Sequence, residues 1–271
     1  MTSDSDSRKP ANPAGPADRP NPTDPASPAD SAAPSAPTAL SARLRAHDPD
    51  TLRNTRIAVH AVAEHVLAGT RHRAVGRIGL RADASRVVTP EFADANGRPL
   101  TLAISIGGGD VALLVSRPDD PATDVVVPLT GGVSLAAAAS AAGLELGAPD
   151  NYPTATQLDP AAPLAIDADC AADLVHALAL GADALAQAAA ASAGASEMQL
   201  WPEHLDLCFS AEEVNYGVSP GDDAHPLPYA YVGPWNKPDD ADWPEPWGYS
   251  LSLGHTSELD DIVRFLLTAA K

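Results

Sequence analysis

The chain has 271 residues, with 36 acidic against 17 basic side chains and a formal net charge of −19 at pH 7. A surface so acidic repels phosphate backbones and anionic lipids, which argues against nucleic-acid binding and membrane attachment and favours a cationic, neutral or metal-bearing partner. The two cysteines, Cys170 and Cys208, are too few for a disulfide framework and lack zinc-like spacing.

Residues 1–39 are mostly Pro, Ala, Ser and Asp, without an aromatic side chain. They bury too little apolar area to offset their ordering entropy and read as a disordered tail, leaving 40–271 as the globular region. Arg8 and Lys9 lead into Ala, Pro and Asn instead of an apolar run, unlike a secretory signal. The apolar segments 133–146 and 170–193 are interrupted by Gly143, Glu145, Asp173, His176 and Asp183, which argues against a bilayer span and for a soluble, cytoplasmic protein.

Asp48-Pro49 has the chemistry of a helix start, and Leu52, Val59, Val62 and Val66 recur at helical spacing up to Gly69, the expected left-handed cap. From 75 to 128 the pattern changes to short apolar runs at 75–80, 86–88, 100–106, 111–115 and 125–129. Turn sequences separate them, notably Asn96-Gly97 and Gly107-Gly108-Gly109-Asp110, so an antiparallel meander is predicted. Gly107 to Gly109 form a turn and no phosphate loop, because no Lys-Ser/Thr follows. An Ala-rich helix over 133–144 and a longer one from Asp167 or Asp169 to about 191 come next. Strands resume at 198–209, 213–218, 229–232 and 249–253, and a helix capped by Ser257 ends the chain with Leu259, Ile262, Val263 and Leu266 as its buried stripe. The fold class is therefore α+β, with antiparallel sheets and packed helices, and its element order suggests similar halves at 48–147 and 165–271.

Charge and ring content divide the chain. Nine arginines fall between positions 43 and 86, whereas 14 acids and ten of the 12 aromatic residues lie after position 196. An intramolecular match between the basic and acidic regions follows, and any binding site belongs in the C-terminal third. A strand from His204 would put Leu205, Leu207 and Phe209 on one face and His204, Asp206 and Cys208 on the other. Trp201, Asp206, Tyr216, Tyr229 and Tyr231 are then the candidate ligand-binding residues, for an unknown small molecule or protein. His204 and Asp206 are the candidate metal ligands of an alternative reading, a metal-dependent enzyme with Glu203 and His225 as further donors. A structural role in a complex is the third reading, and no particular cofactor is implied. His60, Glu64 and His65 do not have zinc-protease spacing, leaving at best a helical ion pair between His60 and Glu64.

Trp201 followed by Asp206-Leu207, Pro228-Tyr229-Ala230-Tyr231 running to Pro234, Pro163-Leu164 with Asp167, and Phe265-Leu266 resemble an uncharacterised, mainly actinobacterial family with a domain of unknown function. One more residue separates Trp201 from Asp206 here than in that pattern, and basic residues do not follow Phe209-Ser210. The resemblance implies a fold and no reaction.

Overall fold

The computed structural model of the chain describes residues 39–236 and 242–269. Apart from Ala39, the expected tail lies outside the described residues, as does 237–241.

Helix α1 (Leu40–Ala46) precedes the start expected at Asp48 and buries Leu40 and Leu44. Helix α2 (Pro49–Val62) opens as predicted, with the Asp48 carboxylate accepting the Thr51 N–H at 2.9 Å. It does not stop at Gly69. A π-helical turn (Ala63–Ala68) carries it into α3 (Gly69–Val75), and Gly76, at φ 68°, supplies the left-handed end. Gly69 is helical, and a Cβ there would strike the Gly147 carbonyl, so close approach and not capping explains this glycine.

Six strands follow: β1 (Arg81–Asp83), β2 (Arg86–Val88), β3 (Phe92–Ala93), β4 (Pro99–Gly107), β5 (Asp110–Ser116) and β6 (Val125–Pro128). They pair antiparallel in the order β1-β2-β4-β5-β6, with β3 also on β4. The run at 75–80 is not a strand, because Val75 still belongs to α3 and Leu80 makes only an isolated bridge to Leu200. Gly108 and Gly109, at φ 64° and 85°, turn β4 into β5 as the sequence requires.

Helix α4 (Leu135–Ala141) is capped by Ser134 and α5 (Ala168–Ala191) by Asp167, whose carboxylate accepts the Cys170 N–H at 2.9 Å. The second sheet contains β7 (Gln199–Trp201), β8 (Asp206–Ala211), β9 (Val214–Ser219), β10 (Tyr229–Pro234) and β11 (Tyr249–Ser252), in the order β11-β10-β9-β8-β7. Helix α6 (Leu259–Thr268) follows Glu258 as its N-cap. Ser257 does not cap it, since its hydroxyl accepts the Ser41 N–H instead, while Thr256 accepts the N–H of Glu258.

By length and mean hydropathy α5 qualifies as a membrane-crossing helix, contrary to the expectation drawn from its polar residues. In this fold it is the packed centre, touching β1, β4 and β5 of one sheet and β8 and β9 of the other. Its one deeply buried acid, Asp173, is held at 2.8 Å by both Arg43 and His47. Apolar residues of both sheets, α2, α5 and α6 join one cluster. The expected charge match is present in Arg53 with Asp223 at 3.1 Å and Arg81 with Glu197 at 3.4 Å.

Candidate functional site

The site begins at a tight turn. The stretch 198–209 is not one strand, because Pro202 to Leu205 turn the chain between β7 and β8. Leu205 is buried in the core with a left-handed backbone at φ 53°, a conformation a leucine rarely adopts. A ring nitrogen of His60 on α2 lies 2.6 Å from the Pro202 carbonyl and ties the turn down. Burial lowers the His60 pKa, so the ring is held neutral and donates its Nε2–H there. The predicted His60–Glu64 pair is not made: Glu64, fully buried, accepts the backbone N–H groups of Ala155 and Thr156.

Strand parity then sorts the second sheet into two faces. Leu207, Phe209, Val218, Ala230 and Val232 are buried in the core, where Gly181 of α5 leaves room for Val218. Asp206, Cys208, Asn215, Gly217, Ser219, Tyr229 and Tyr231 occupy the opposite face. Gly217 pairs with Tyr231, and a Cβ at Gly217 would occupy the space of the Tyr231 ring. The ring is therefore laid across the sheet, with its hydroxyl donating a short hydrogen bond to Asp206 Oδ2.

This face borders a cavity of about 460 Å³ lined by Asp206, Tyr229, Tyr231, Asp222, Trp235 and Trp247, among others. Tyr229, Tyr231 and Trp247 pack on one another with ring centroids 5.8–6.2 Å apart. The three rings form one aromatic wall of the cavity. Tyr229 donates to Asp222 Oδ2 at 2.7 Å, and His225 lies 2.9 Å from Glu245, joining the two loops that flank β10. No Lys or Arg is among the described lining residues.

Asp206 is 9 % exposed, and its second oxygen, Oδ1, is buried without a hydrogen-bond partner. Burial raises its pKa above the ordinary 3.8, against the lowering effect of the Tyr231 hydrogen bond. Tyr231 is pushed up by its own burial and by Asp206, so it stays a phenol and a donor. The Cys208 thiol, pushed up to about 11 by burial and Asp206, is no nucleophile at neutral pH. For Asp222 the hydrogen bonds from Tyr229, His225 and Ala224 outweigh burial, and the carboxyl lies below its ordinary range.

Of the sequence-predicted residues, Asp206, Tyr229, Tyr231 and His204 border this one cavity. Tyr216 does not: it pairs with Val232 on the core face and stacks on Phe209 at 5.0 Å and 13°. Trp201 pairs with Asp206 but lines a separate cavity with Arg71 and Gln199. His204 is an exposed turn residue, not the first of a strand, so its placement beside Asp206 and Cys208 by strand parity fails. Among the described residues no group of three or more His, Cys, Asp or Glu side chains could hold a metal ion. Sequence reasoning missed Asp222, Trp235 and Trp247, which loops bring to the face, and Gly217, which no turn signal marked.

No family model, curated protein or solved structure matches this chain, so the geometry of the open face carries the functional argument.

Proposed function

We propose that the open face of the second sheet is a binding site for a small organic cation bearing N–H donors, a protonated amine with an apolar stem. The observation that carries this reading is Asp206, a buried carboxylate bordering a cavity with one oxygen that nothing in the chain satisfies. Such an oxygen is costly to leave unpaired, and a charged donor restores about 1.5–3 kcal/mol. Asp222 adds a second negative charge, and Trp247 and Trp235, 37 % and 59 % exposed, offer apolar surface for the stem. A quaternary ammonium fits less well, since it has no N–H to give the unpartnered Asp206 oxygen.

Titration calorimetry with butylamine, tetramethylammonium and the neutral butanol tests the reading. Butylamine should bind, the other two should bind at least about tenfold more weakly, and Asp206→Asn should remove the difference. Equal affinities for all three, or unchanged butylamine binding by Asp206→Asn, would refute it.

A further inference from the structure

Five buried side-chain atoms among the described residues have no hydrogen-bond partner: Arg71 Nε, His72 Nδ1, Tyr152 Oη, Glu203 Oε2 and Asp206 Oδ1. Only two of these are carboxylate oxygens: Glu203 lies in the turn that joins β7 to β8, and Asp206 is the first residue of β8 after it. Asp206 lines the cavity on the sheet face. Glu203 lines a neighbouring cavity of about 530 Å³ on the α2 side, with Arg53, Arg56, His60 and Asp223. The two cavities have His204, Gly221 and Asp222 in common.

The charges of the combined space are unbalanced. Its described lining carries the carboxylates Asp206, Asp222, Asp223 and Glu203 against the guanidiniums of Arg53 and Arg56. Both guanidiniums are already engaged: Arg53 with Asp223 at 3.1 Å, and Arg56 with the Pro226 carbonyl at 3.0 Å and Asp223 at 4.0 Å. His60 gives its Nε2 to Pro202, and the turn that it holds fixes the separation of Glu203 from Asp206. Each end thus has a buried acceptor without a partner in the chain, and the exposed His204 borders both cavities.

We infer that the two cavities are one elongated site and that its ligand is a diamine, with one ammonium on Asp206, the other on Glu203 and the connecting chain passing His204. This inference rests on the proposal that Asp206 receives an ammonium. It adds a second charged contact and a length requirement, because rigidly placed carboxylates reward only the chain that spans them.

The experiment is calorimetric titration of the full chain with a graded series of α,ω-diaminoalkanes, from propane to octane, each beside its monoamine. One diamine length should bind at least about tenfold more tightly than its monoamine. Glu203→Gln should reduce that diamine to the affinity of its monoamine. Its thermal midpoint should not fall, since Glu203 Oε2 has no hydrogen bond to lose. Diamines no better than monoamines at every length, or an advantage that survives Glu203→Gln, would overturn the inference while leaving the Asp206 contact standing. If no amine binds, both fail.

Discussion

Alternate residues of the same strands build the two faces of the second sheet, yet the faces have opposite chemistry. On the covered face Phe209, Val218, Ala230 and Val232 are each at most 1 % exposed. On the open face Asp206, Gly217, Tyr229 and Tyr231 form a hydrogen-bonded surface with one acceptor left over. The comparison shows how a small sheet can separate stability from recognition: one parity supplies the apolar core and the other is free to hold a buried carboxylate with an unpaired oxygen.

Substitutions should separate the faces in order of size. Phe209→Ala removes the largest fully buried ring and should cost about 3–5 kcal/mol in chemical denaturation. Gly217→Ala is the sharper probe, because its methyl group would displace the Tyr231 ring. A loss of about 1–3 kcal/mol is expected, with amine binding lost as well. A variant with full stability and unchanged binding would show that Tyr231 is not seated by that glycine. Arg53→Ala, which breaks an exposed pair with Asp223, should cost at most about 1 kcal/mol.

Asp206→Asn is expected to act in the opposite sense. A carboxyl whose folded pKa is raised above 3.8 gives the fold a contribution that is full below that value and is lost as pH rises through the folded pKa. Replacing it with the neutral amide should therefore leave stability at pH 7 undiminished, while the amine loses its partner. Denaturation midpoints from pH 3 to 7 check this: the variant should lack the part of the wild-type decline that comes from this group.

Local chemistry made much of the fold legible. Asp48, Ser134 and Asp167 are caps, and Asp48 before Pro49 and Asp167 before the Ala-rich stretch are both legible as helix starts in the sequence. The Gly-rich β4–β5 hairpin was equally plain. In the site, Tyr229 and Tyr231 could be placed on a common face because they are two residues apart in one strand. Tyr216 could not be placed, because its side depends on the register across the 220–228 loop, whose length does not set parity. The turn between β8 and β9 falls in the break between the strands expected at 198–209 and 213–218, but its type is not legible: Glu212 and Glu213 adopt φ 49° and 64°, a geometry usually announced by Asn-Gly. Asp222, Trp235 and Trp247 reach the face through tertiary folding of their loops, and Gly69 looks like a cap until the Gly147 carbonyl is seen against it.

The central claim, that Asp206 receives an ammonium group, has a direct signature in protons. Burial raises the pKa of the Asp206 carboxyl, and a bound cation opposes that shift by favouring the carboxylate, while the amine keeps its own charge. Calorimetry of butylamine binding in two buffers of different ionisation enthalpy, repeated from neutral to acidic pH, should show proton release where the carboxyl of the free protein titrates, with affinity falling as pH is lowered through that range, and Asp206→Asn should abolish the release. Binding without proton release at any pH, or release that persists in Asp206→Asn, would contradict the account.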